Sequence, residues 1–235
     1  MVSVCKCKEW AQPFFRRISP ILFRELLRFL RVYYFFFRGN KKKELTALRL
    51  QTRVGVKHLY NAFSHPRRTV WTTMFVPSEI LFAMGLYPFC LEIGAALFAG
   101  LGQSSHGLLE AESYGVPTDI CTFHRSAIGH TFRNLFPRNI LQVATTLCDN
   151  NTKTMKICES VTGKETIVID VPYEADDYSV KYLTKQLDEF THRLEEITGK
   201  KMNHAAFERA IEYSNKTREK MLEVNELRKD PYCPL

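Results

Sequence analysis

The sequence predicts an α/β fold: a parallel sheet flanked by helices in a Rossmann-like layer, with a C-terminal helical pair and an N-terminal basic helical extension. Three observations predict it. Short β-branched and aromatic runs alternate with helical stretches through the middle of the chain, as a parallel sheet with helical crossovers requires. Leu183, Leu187, Phe190, Leu194 and Ile197 step by 4, 3, 4 and 3 residues, so they share one helix face. Positive charge is confined to the start of the chain. Residues 1–53 hold 13 Lys and Arg against 3 Asp and Glu, whereas residues 54–235 hold 20 against 22.

The N-terminal extension, residues 1–43, is basic and aromatic. Ten of the chain's 29 aromatic residues fall between Glu9 and Gly39, interspersed with six arginines. A helix is expected from about Ser19, which suits the N-cap, with Pro20 at the first helical position. Such a helix can pack on protein, lie on an anionic membrane surface through residues 9–39, or remain disordered. Gly39, Asn40 and Lys41 to Lys43 read as a linker, after which residues 44–235 form the α/β domain.

Glu44 to about Phe63 reads as a helix, ended at His65 because Pro66 follows. The first strand starts at Thr69, in TVWTTMF. Pro77, Ser78 and Glu79 open a helix that Gly85 stops. LYPFCLE, Ile140 to Thr146 and Thr166 to Val171 supply three further strands. The helix carrying Leu183 to Ile197 ends at Gly199. Asn203 caps a last helix that runs to about Arg228, with Phe207, Ala210 and Ile211 on one side.

Composition narrows the function. With 45% hydrophobic and 25% charged residues, this is an ordinary globular chain. The net charge of +8 belongs to the extension, so a nucleic-acid-binding reading of the whole chain loses its support. The longest uncharged stretch, Ile93 to Leu109, is shorter than a bilayer span and carries Gln103, Ser104, Ser105 and His106. The first ten residues lack an apolar core and a cleavage site, so no secretory signal is expected. Seven cysteines, an odd number, without an export signal argue for a reducing, cytoplasmic setting.

Among those cysteines, Cys121 and Cys148 fall at loop or strand ends just before helices. Ligands collect at the carboxyl ends of parallel strands, and helix N-termini stabilise thiolates there. Spacing alone is no metal motif, and packed thiols are the plainer reading. Cys90 and Cys158 read as packing. Cys5 and Cys7 are too isolated to hold a metal. A nucleophilic Cys121 with His124 three residues on lacks an orienting third group. No phosphate-binding glycine loop, GxSxG or HExxH is present. Glu79, in a first helical turn, is either a favourable charge at the positive helix end or an acid/base group at the sheet edge.

Four ordered blocks resemble the 2-hydroxyacyl-CoA dehydratase family, which includes the 2-hydroxyglutaryl-CoA dehydratase D-component and the benzoyl-CoA reductase subunits. FVPSEILFAMGLYPFCLE is similar to its opening segment. AESYGVPTDICTFHRSAIG resembles its first cysteine segment, with Cys121, Arg125 and Gly129. VATTLCDNNTKTMK resembles the second, with Cys148, Asp149 and Lys153. The stretch from Val168 to Val224 resembles the family's tail.

The resemblance covers roughly residues 45–235. It implies that Cys121 and Cys148 are ligands of an iron–sulfur cluster, [4Fe-4S] in the first instance. It implies an acyl-CoA substrate; by position near those cysteines Glu79 is the candidate catalytic residue and Arg125 and Ser126 are candidate substrate-binding residues, with an ion pair at a helix surface the other reading of Arg125. It also implies ketyl-radical loss of water after one electron arrives from an ATP-dependent activator. Family members continue into a second domain with a further cluster cysteine. The chain therefore reads as the N-terminal half only, needing a companion subunit or the missing half. A benzoyl-CoA reductase or double-cubane-type subunit, or a truncated non-catalytic interaction module, are the other readings of the same residues.

Overall fold

The computed structural model describes residues 20–33, 46–230 and 232. Ser19, the linker around Lys41, Cys5, Cys7, Cys233 and most of the basic aromatic segment lie outside the described residues. Within that segment, residues 20–33 form helix α1.

The domain is built on four short strands: β1 (Thr69–Thr72), β2 (Tyr87–Cys90), β3 (Leu141–Thr145) and β4 (Thr166–Ile169). Each lies inside a run that the sequence marks as β-forming. The sheet is entirely parallel, in the order β2-β1-β3-β4. Thr69 pairs with Tyr87, Val70 with Leu141, and Thr145 with Ile169. Every residue of the two central strands is buried, as expected where helices cover both faces.

Alternation along the strands sorts the core into two layers. Trp71, Phe89 and Ala144 point to one face. There they meet α2 (Thr46–Ser64), α4 (Leu91–Gly100), α6 (Thr122–Phe132) and α7 (Asp149–Thr162). Val70, Val143 and Ile169 point to the other, against α3 (Ser78–Ala83) and α8 (Asp177–Thr198). The predicted stripe is there in full: Leu183, Leu187, Phe190, Leu194 and Ile197 all pack in this second layer. Helix α8 then ends at Gly199, whose φ of 66° is open to glycine. Asn203 accepts a hydrogen bond from the Ala206 N–H and starts α9 (His204–Leu227). Phe207 packs inward, but Ile211 is exposed, contrary to the expected face.

Helix α6 differs from the rest. All residues from His124 to Thr131 are buried. It crosses α5 (Ser104–Ser113) at glycines: a Cβ on Gly129 would lie 1.7 Å from the Gly107 carbonyl oxygen. Backbone therefore touches backbone, and neither helix tolerates a side chain at the crossing. Among the described residues no helix is long and apolar enough to cross a membrane.

Candidate active site

Strand order fixes where a site forms. From β1 the chain moves to β2 on one side, then returns to β3 on the other. Beyond the carboxyl ends of β1 and β3, the connections diverge and leave a crevice, the usual ligand position in open α/β sheets. A cavity of about 590 Å³ among Arg67, Pro137 and Lys164 is at the opposite, amino edge. Topology, rather than size, points to the carboxyl edge.

Both predicted cluster cysteines are N-cap residues. Cys121 caps α6 and is exposed; Cys148 caps α7 and is half-buried. Neither side chain caps its own helix. Each thiol thus lies at the start of a helix, beside its first-turn N–H groups.

Around Cys148 lies a buried polar network. His124 and Glu92 are 4% and 6% exposed. The His124 Nε2 lies 4.0 Å from Cys148 Sγ and 3.9 Å from Glu92 Oε1. Its Nδ1 is 3.1 Å from the Thr154 hydroxyl. Glu92 Oε1 accepts from the Met74 N–H at 3.2 Å, and Oε2 accepts from the Cys90 thiol at 3.3 Å. Burial lowers the His124 pKa against the opposing pull of Glu92. Burial first, and Glu92 second, push the Cys90 thiol up to about 12. Cys90, expected in the core, is thus a half-buried residue of this edge.

The histidine expected beside Cys121 faces Cys148 instead. It does not form a nucleophile relay, because thiol and carboxylate share Nε2 while Nδ1 meets a hydroxyl. Arg125 is buried; its Nη1 donates to the Thr118 carbonyl at 2.7 Å and Nη2 lies 3.7 Å from Glu112. It anchors the loop that delivers Cys121. The Ser126 hydroxyl is buried without a partner among the described residues. Glu79 is on α3, where its carboxylate accepts a 2.6 Å hydrogen bond from Ser214 of α9. The sequence singles out neither Glu92 nor Thr154. Only the proximity of Glu92 to Cys90, at a strand–helix junction, hinted at its place.

The donor chemistry fits an iron–sulfur cluster in part. Two thiols at helix N-termini match its preferred ligands. Among the described residues, no three His, Cys, Asp or Glu side chains gather closely enough to hold a metal ion. A cluster at this edge would need further ligands from outside the described residues.

Known proteins resemble the chain at the level of family and of whole subunits. The 2-hydroxyglutaryl-CoA dehydratase D-component family matches residues 73–235. The chain is 25% identical over 193 residues to the (R)-phenyllactyl-CoA dehydratase alpha subunit of Clostridium sporogenes, covering 78% of this chain and 47% of that one. It is 42% identical over 62 residues to the alpha subunit of (R)-2-hydroxyglutaryl-CoA dehydratase from Acidaminococcus fermentans, covering 25% of this chain and 13% of the relative. The chain thus spans less than half the length of either relative it matches.

Proposed function

The chain belongs to the 2-hydroxyglutaryl-CoA dehydratase D-component family, and from that premise we propose that it is the cluster-holding half of a 2-hydroxyacyl-CoA dehydratase subunit. The observation that carries this reading is the placement of Cys121 and Cys148 at consecutive helix N-caps on the carboxyl edge of the sheet. Each thiol supplies one ligand to a [4Fe-4S] cluster. The remaining ligands come from outside the described residues, and relatives named as alpha subunits support a companion subunit. Held in part by Cys121 and Cys148, such a cluster would supply one-electron reduction at low potential, the chemistry needed for a hydroxyl to leave a 2-hydroxyacyl thioester.

The chain's own residues prepare that chemistry. The first-turn N–H groups of α6 and α7 offset thiolate charge. Behind Cys148 lies the buried His124, itself backed by the buried Glu92. Arg125 holds the Cys121 loop to α5. Arg125 has to give up those partners to reach a substrate carboxylate or phosphate, and Ser126 remains free to donate. Glu79 has to leave Ser214 before acting as acid or base. The electron arrives from an ATP-dependent activator.

Turnover tests the proposal. The chain is combined anaerobically with its companion subunit, the activator, ATP and a reductant. A 2-hydroxyacyl-CoA then yields the α,β-unsaturated thioester, followed by its ultraviolet absorbance. A protein that stays free of iron after anaerobic reconstitution and forms no unsaturated thioester contradicts the proposal.

A further inference from the structure

A second cavity, about 240 Å³, lies on the carboxyl edge itself. Its apolar lining is Leu59, Met74, Val76, Phe82, Phe89 and Ile93. Cys90 also lines it. Cys90 and Met74 both bond to Glu92, so the cavity adjoins the network that backs Cys148.

Three features describe its occupant. First, the rim is apolar and open: Met74, Phe82 and Ile93 are 57%, 49% and 54% exposed. Grouped large apolar side chains around a cavity are the mark of a ligand groove. Second, no Lys or Arg lines it, and its histidine is engaged, His58 Nε2 lying 2.6 Å from the Pro88 carbonyl. A second carboxylate entering here would lose its water without gaining a cation, which is strongly unfavourable. Third, Thr73 lines the cavity, is 2% exposed, and has an Oγ1 without a partner among the described residues. Buried hydroxyls ordinarily have partners, so this one is available to an uncharged ligand oxygen.

We infer that this cavity takes the acyl chain of the thioester, and that the substrates are 2-hydroxyacyl thioesters whose side chain is apolar and uncharged rather than dicarboxylic. The inference rests on the dehydratase reading above.

Binding of unreactive thioesters to the full chain tests it by titration calorimetry. Valeryl-CoA, glutaryl-CoA and free CoA are compared, the first two matched in chain length. Valeryl-CoA binds at least tenfold tighter than glutaryl-CoA, and each methylene from butyryl to hexanoyl tightens binding about fourfold. Met74→Lys, at an exposed rim position, brings a cation to the mouth and shifts the preference toward glutaryl-CoA by about tenfold. Ile93→Lys asks the same question should that variant fail to fold. Equal binding of valeryl-CoA and glutaryl-CoA, or an unchanged ratio in a folded variant, overturns the inference and leaves the dehydratase reading standing. Failure of free CoA and every thioester to bind removes both.

Discussion

Cys148 and Cys158 belong to the same helix, at the cap and in the body of α7, yet they occupy different chemical environments. Cys158 is fully buried, its nearest polar contact the Thr131 hydroxyl at 3.6 Å, and burial pushes its thiol up to about 12. Such a thiol packs as a small apolar group and stays protonated. Cys148 is half-buried, faces an imidazole, and lies beside free helix N–H groups. One helix therefore shows what distinguishes a structural thiol from a ligand-ready one: position relative to the sheet edge, not residue type.

The crossing of α5 and α6 supports both regions, so breaking it has the largest effect. Gly129→Ala forces a methyl group into the Gly107 backbone. We expect a loss of about 4 kcal/mol or more in denaturant unfolding, or failure to fold. Next is the response to acid. His130 is fully buried between Phe98 and Phe136, with neither ring nitrogen bonded among the described residues. Burial, aided by Arg133 and His106, lowers its pKa from 6.5 to about 4. The folded protein thus resists protonation that the unfolded chain accepts. Stability from this group is complete above pH 6.5 and is lost as the pH falls toward 4. The loss amounts to about 3 kcal/mol, and His130→Leu flattens that part of the stability–pH curve.

Two smaller changes sharpen the contrast between edge and interior. Cys158→Ser puts a hydroxyl into an apolar site and costs about 1–2 kcal/mol. Cys148→Ser places a better capping residue at the start of α7, so stability holds or rises by a few tenths of a kcal/mol. Thermal melts of the pair separate the two outcomes. Smallest is Asn203→Ala, which removes the cap of α9 at a cost of about 1 kcal/mol and leaves iron binding unchanged.

Local signals made much of this legible. β-branched and aromatic runs marked the four strands, and Gly199 and Asn203 marked helix ends. Cys121 and Cys148 could be placed at helix starts because a loop-to-helix change surrounds the first and a strand-to-helix change the second. What stayed hidden depends on pairings between distant segments. Nothing in the residues from His124 to Thr131 announces a helix buried all round; that follows from Gly107 meeting Gly129. Glu92 looks like a surface charge until β2 is set beside β1, which brings the Met74 N–H to its carboxylate. His124 was legible as a neighbour of Cys121 in sequence, but helix geometry turns it toward α7.

The most direct test of the account is iron and acid-labile sulfide per chain after anaerobic reconstitution, with paramagnetic resonance of the reduced protein. The unmodified chain and the serine variants of Cys121, Cys148 and Cys158 are measured side by side, with the companion subunit present. The account predicts that the first two substitutions each abolish the cluster signal while Cys158→Ser retains it. Full iron and sulfide in the Cys121→Ser, Cys148→Ser double variant would contradict it.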